Sequence, residues 1–532
     1  MSGLSFFGGF LIKWAHLPLC LSYGLQLMGQ KSPEMATYPV LTITICTAIA
    51  MMLLSRSAES PGSKKRLKQK IHEGSTDGEE SRESRRLQPI PSVVQPNKPI
   101  VVIRRDATRL YLAPPDWPKN DNYSSTDEKK LQEDVNTSVV DCATTDFLCI
   151  ATDPEAQQHV LGAIERYGVG SCGPRGFFGT LTPHIMVERE FTAFLNQPAI
   201  LYPSAAVVIP SALPILCGKG DVLIISEVHS LEIARAAALC GAKVVTLHLP
   251  YLNLQQLSDE LHISDGSIKE CTSSLKNAMC KYLTSDEVQK ELRKIRRDVE
   301  PVLKAASAEA KNTCWLVADT ITKDGILCLP EILSVCEINH VRIFLNEGLG
   351  LGVLGSEGRG VPEFWCDMGY ATGYHHFDLV ASSLEHAFSG LGGICTGALH
   401  LVEQQRNMGL GYCFSASAPP GLCECARYTL RQIPNVLPAL HESALTLHKM
   451  LLSAGIPFIG IPGFPAVFIQ LPESITSAAI QDNLLCHRSG DRYLVGIVDD
   501  KTIRVSVTIK HKKEDIEKLA EYLENILKNT ES

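Results

Sequence analysis

Past residue 137 the chain alternates between two hydrophobic rhythms. Short apolar runs of strand length recur at Ala205–Ile209, Val222–Ile225, Val244–Leu247, Cys314–Val317, Val341–Leu345 and Asp378–Val380. They are rich in β-branched residues, as buried strands are. Segments with helical spacing separate them, for example Leu231–Leu239 and Glu331–Glu337. Strands alternating with helices predict an α/β fold: a mainly parallel sheet with helices on both faces. Beyond residue 430 the order changes to a long helix, a strand over Ala466–Leu471, a strand over Thr502–Thr508 and a helix over Lys513–Leu527. That order predicts a smaller C-terminal α+β lobe. No internal repeat is visible.

The pattern upstream is different. Between Glu34 and Arg56 no residue is charged, and the run Met35–Ser55 would extend about 31 Å as a helix, enough to cross a bilayer. It begins too far into the chain for a signal peptide, and no small-residue cleavage site follows it. Arg56, Lys64, Lys65, Arg66, Lys68 and Lys70 follow the span, against Lys13 and Lys31 before it. Positive charge stays cytosolic, so the body is expected in the cytosol and the short N-terminus in the lumen. The stretch Leu4–Leu27 is apolar but broken by Lys13, His16 and Pro18, which suits an interfacial or re-entrant helix. Residues 56 to about 97 mix Ser, Gly, Pro and charges without apolar period and read as a solvated linker. The expected layout is a luminal or interfacial segment (1–34), one transmembrane helix (35–55), a linker and N-terminal arm (56–136), a large domain (137–425) and a small domain (426–532).

Composition adds mainly exclusions. A net charge of −8 offers no basic field for nucleic acid. The 18 cysteines stand singly, mostly inside apolar runs, as reduced buried thiols do. The tightest pair, Cys423 and Cys425, has no second pair or histidine cluster beside it, so no metal site is expected. The string Gly350-Leu351-Gly352-Val353-Leu354-Gly355 imitates a dinucleotide fingerprint. However, Asn346-Glu347-Gly348 intervenes after the strand, and no acid closes a second strand at the right distance. A turn-rich loop accounts for it better.

The most distinctive stretch is Tyr167-Gly168-Val169-Gly170-Ser171-Cys172-Gly173-Pro174-Arg175-Gly176-Phe177-Phe178-Gly179-Thr180. Its glycines permit unusual backbone angles and close approach of another chain or an anion. As a string it resembles the signature of serine palmitoyltransferase subunits, within the α-oxoamine synthase family of pyridoxal-phosphate enzymes. His184 and Glu188 follow at that family's spacing. Three further blocks stand in the family's order: Asn346-Glu347 through Gly360, Gly411–Pro420, and Ile503–Thr508. The resemblance covers roughly residues 137 to 528, and it implies the fold-type I pyridoxal-phosphate transferase fold.

It also implies where the chemistry should be, and there the chain departs. In catalytic members a lysine in a Thr-Lys-Ser-like loop holds the cofactor. This chain reads Ser382-Ser383-Leu384-Glu385-His386-Ala387-Phe388, with His386 in the lysine's place, and no lysine occurs between Lys323 and Lys449. The acid that should partner the pyridinium is Asn346. The histidine that should stack on the ring aligns with Ser230, with His229 one position off, and that block's Asp is Ser226. The departures match a non-catalytic subunit, with no catalytic residue and no cofactor of its own.

The family builds its sites at dimer interfaces, so such a protomer can still complete a neighbour's site. The implied partner is the catalytic long-chain-base subunit, which would hold pyridoxal 5'-phosphate and condense L-serine with palmitoyl-CoA to 3-oxosphinganine at the endoplasmic reticulum membrane. Small membrane regulators have room among the partners. Residues expected to be lent are Arg175, Phe177, Phe178, Gly179, Thr180, Ser415 and Ser417. Arg504 resembles the family's substrate-carboxylate arginine, although a structural salt bridge would explain it equally well. Two other readings stay open: a homodimeric α-oxoamine synthase, against which the missing lysine speaks, and a regulatory scaffold anchored through residues 1–55.

Overall fold

The computed structural model describes residues 100–113, 138–255, 277, 279, 281–486 and 491–531. Along the chain the strands are β1 (Val102–Asp106), β2 (Arg109–Leu112), β3 (Ser138–Cys142), β4 (Ala199–Tyr202), β5 (Val222–Ser226), β6 (Lys243–Leu247), β7 (Cys314–Asp319), β8 (Arg342–Glu347), β9 (Leu379–Ser383), β10 (Gly393–Gly397), β11 (Ala466–Gln470), β12 (Tyr493–Asp499) and β13 (Thr502–Ser506). A three-stranded ribbon of Tyr251–Leu252, Ile321–Thr322 and Gly325–Leu327 accompanies them.

Seven strands form the large sheet in the order β4-β10-β9-β8-β7-β5-β6. β5, β6, β7, β8 and β9 pair in parallel, and β10 runs against both of its neighbours. Central strands of such a sheet are covered on both faces, hence their unbroken apolar runs. Alternate residues go to different cores. Val222, Ile224, Leu316, Ile343 and Leu345 join one cluster, whereas Leu223, Ile225, Trp315, Val317 and Phe344 join the other. The strand–helix alternation therefore describes this half correctly.

Six strands form the second sheet, in the order β1-β2-β3-β12-β13-β11. A separate core lies beneath it, from Val140, Leu447, Phe458, Val467, Ile503, Val505, Ile516 and Leu523 among others. The helix Pro420–Ser453 runs from one core into the other.

The structure corrects the sequence reading in three places. Ala205–Ile209 is helical and the strand is Ala199–Tyr202. Ser204 caps that start by accepting from the Ala206 amide, and capping with burial outweighs the β-branched run. The domain boundary at 137 places Ser138–Cys142 in the wrong half, because β3 pairs in parallel with β12 of the second sheet. The boundary at 426 falls inside the helix Pro420–Ser453. Neither shows in sequence, since the partner strands are hundreds of residues apart. The expected span Met35–Ser55 lies outside the described residues. Among the described residues no helix is long and apolar enough to cross a membrane.

Candidate functional site

The carboxyl ends of parallel strands open onto a common edge, where such sheets place their ligand crevices. Here Ser230 follows β5, Asp319 ends β7, Asn346 lies near the end of β8, and Glu385 and His386 follow β9. Val498 and Asp499 of β12 and Arg504 of β13 close the other side of a cleft of about 530 Å³.

Asn346 and Asp319 stand opposite each other in register. The Asn346 amide Nδ2 donates to Asp319 Oδ1 at 2.6 Å and to Ser230 Oγ at 3.2 Å. The Ser230 backbone amide donates to Asp319 Oδ2 at 2.7 Å. Burial raises the Asp319 carboxyl above its ordinary range, although these donors oppose the shift. The carboxylate missing at 346 is thus present one strand over, already occupied by the amide. His229 also lines the cleft, its Nδ1 bonded to the Ser226 carbonyl at 2.8 Å.

His386 Nδ1 lies 2.8 Å from Thr145 Oγ1. Burial, reinforced by the Arg504 guanidinium, depresses the imidazole to about 4, so it is neutral near pH 7. Lys323 supplies an amine to the cleft wall, but its Nζ is held by Asp499 at 2.7 Å. Arg504 Nη2 donates to the Ala143 carbonyl at 2.8 Å, and no acceptor among the described residues meets its buried Nε. Burial lowers its guanidinium below the ordinary arginine range. Among the described residues Arg504 forms no salt bridge within 4.0 Å, and the carboxylate whose charge reaches it is Asp141.

Pyridoxal phosphate needs an amine to hold its aldehyde, a carboxylate for its ring nitrogen and an unoccupied anion position. The residues present do not fit it. The imidazole of His386 stands for the amine, the amide of Asn346 stands for the acid, and Glu385 Oε1 sits on the nearby helix start, accepting from Ala205 N at 3.0 Å and from Ser204 Oγ at 2.8 Å.

The glycine loop contributes none of the residues that line this cleft. Gly173 carbonyl accepts from the Ser417 amide at 3.0 Å and from Ser417 Oγ at 3.1 Å, and Ser171 Oγ donates to the Ser417 carbonyl at 3.1 Å. His184 Nε2 meets the Ala418 carbonyl at 2.7 Å. These bonds stitch loop and segment 415–418 together. A Cβ on Gly179 would stand 1.7 Å from the Gly173 oxygen, so only glycine fits there.

Arg175 and Ser417, expected to reach a neighbour, turn inward. Arg175 is only 8% exposed and forms an ion pair with Glu188 at 3.0 Å, while Glu188 also binds Arg406 at 3.1 Å. Gly179 is buried as well, whereas Thr180 is exposed, its Oγ1 donating to the Arg175 carbonyl at 2.6 Å. The outward surface is Val169, Phe177, Phe178, Phe414 and Leu410, with Phe178 98% exposed. Ser415 is half-buried beside it.

The Gly350–Gly355 string is a loop packed on buried carboxyls. Cβ atoms at Gly350 and Gly360 would meet Glu347 Oε1 at 1.9 and 2.4 Å, and one at Gly355 would meet Glu363 Oε2 at 2.3 Å. Burial pushes Glu347 up to about 7.

Sequence reasoning passed over Glu385, Asp319, Thr145 and Lys323. Glu385 stood beside His386 in the quoted stretch, and Asp319 stood two positions past the recognised run Cys314–Val317. Nothing local marked Thr145, which is 241 positions from His386.

No protein-family model matches the chain. In sequence it is similar to long chain base biosynthesis protein 1b of Oryza sativa subsp. japonica, 29% identical over 411 residues, covering 73% of this chain and 76% of the relative. Serine palmitoyltransferase 1 of Dictyostelium discoideum is 28% identical, covering 67% and 68%. Among solved structures, an SPT with a PLP internal aldimine superposes with a TM-score of 0.62 at 17% identity, over 82% of this chain and 94% of that one. The fold is shared with that structure, and the sequence likeness expected from the glycine loop holds with the two relatives.

Proposed function

We propose that the chain is the non-catalytic subunit of a serine palmitoyltransferase, acting in the first step of sphingolipid synthesis. Its partner, a catalytic subunit carrying pyridoxal phosphate, condenses L-serine with palmitoyl-CoA to 3-oxosphinganine. The observation that carries the reading is His386 where the resemblance expects the cofactor's lysine, in a cleft lined also by Ser230 and Asn346 at the other cofactor-handling positions. The exposed Phe177, Phe178 and Phe414 support a neighbouring chain, because clustered exposed aromatics mark contact surfaces. Anchoring at the endoplasmic reticulum through Met35–Ser55, with the body in the cytosol, is part of the same proposal and rests on the charge bias in sequence.

The test is expression alone and with candidate catalytic subunits. Alone, the chain should neither turn over L-serine and palmitoyl-CoA nor yield a pyridoxyl peptide after borohydride. With its partner, activity should appear and both chains should co-purify. Turnover by the chain alone would refute the assignment and favour a homodimeric synthase.

A further inference from the structure

The helical stretch opening at Ala205 continues without a break into Val208–Leu216, and Ala205 and Ala206 line the cleft. Free amides and the positive end of the dipole make a helix start attractive to anions. Here the anion belongs to the chain itself. Glu385 Oε1 accepts from Ala205 N and from Ser204 Oγ, while Ser204 Oγ accepts from Ala206 N at 3.2 Å. The Glu385 amide donates to Ser383 Oγ at 3.0 Å, which holds the turn that aims the carboxylate.

We propose that Glu385 is a resident anion: its carboxylate fills the helix start at Ala205 in the cleft wall and so denies that anion position to phosphorylated ligands. An incoming phosphate would have to displace it or share amides with a like charge. This goes beyond the missing lysine. His386 explains why no covalent bond forms, whereas Glu385 explains why a phosphorylated cofactor would not dwell in the cleft even unbonded. It follows that His386→Lys alone does not load this protomer.

The experiment is titration of the full-length chain with inorganic phosphate and, separately, with pyridoxal phosphate, read by calorimetry and by shift in melting temperature. Wild type should bind both weakly. Glu385→Ala uncovers Ala205 N and Ser204 Oγ, and phosphate affinity should rise at least tenfold. Glu385→Gln keeps an acceptor without the charge and should give a smaller gain. A gain for phosphate but not for pyridoxal phosphate still supports the seal and places the remaining obstacle at the ring. The proposal falls if wild type binds phosphate as tightly as Glu385→Ala. It falls equally if both variants melt as folded proteins and gain nothing. Should Glu385→Ala not fold, Glu385→Gln decides alone, since it preserves both hydrogen bonds. The titration needs no partner chain, so its failure would leave the subunit assignment standing.

Discussion

At the scale of single residues, burial separates what holds the glycine loop from what the loop shows to others. Arg175 is inside, paired with Glu188, which retains Arg406 if Arg175 is removed. Arg175→Ala should therefore cost about 2 kcal/mol of stability, the loss expected for a charged hydrogen bond with a second partner still in place. Denaturant unfolding of the purified chain measures this, and an unchanged midpoint would mean the pair holds nothing. Phe178 faces outward, so Phe178→Ala should change stability by no more than about 0.5 kcal/mol. It should instead weaken co-purification with the catalytic subunit or the activity of the complex. Gly179→Ala belongs with the first group, because its Cβ has no room beside the Gly173 carbonyl. It should lower the melting temperature and detach the loop from Ser417 together.

At the scale of elements, the helix Pro420–Ser453 joins the two cores and carries a titratable group where neither can hydrate it. His448 is fully buried against Phe458, at 5.0 Å between rings, and burial depresses its imidazole to about 3. Between about pH 6.5 and 3 the unfolded chain takes up a proton that the folded chain refuses. Stability contributed by the neutral ring is therefore complete above 6.5 and lost as pH falls, by roughly 1.4 kcal/mol per unit. Buried carboxyls such as Glu347, raised to about 7, slope the opposite way, so the histidine is best isolated by difference. His448→Phe should gain on wild type progressively as pH drops below 6.5 in urea melts. Parallel curves would show that the helix opens locally and hydrates the ring.

At the scale of the whole molecule, topology is open to direct test. Asn122-Tyr123-Ser124 and Asn136-Thr137-Ser138 are acceptor sequons beyond the charged flank of Met35–Ser55. With the body in the cytosol both asparagines should be unmodified, and protease added outside sealed microsomes should digest residues 56–532. A glycosidase-sensitive mass shift would reverse the orientation and remove the meeting with a cytosolic partner site.

The sequence by itself determined the parts whose cause is local. Strand–helix alternation marks a two-face-covered sheet because central parallel strands must be apolar on both sides. The glycine loop was legible because Gly179 tolerates no side chain, and His386 was legible because it is a residue type at one position where the resemblance expects a lysine. Tertiary structure alone decided what depends on distant partners. β3 joins the second sheet by pairing with a strand more than three hundred residues later. Arg406 reaches Glu188 across 218 positions, and the helix start at Ala205 meets Glu385 because β4 and β9 lie two places apart in one sheet. Residue type and periodicity act along the chain. Core burial, the pairing of Glu188 with Arg406 and the occupation of an anion position arise when segments far apart in sequence are packed together.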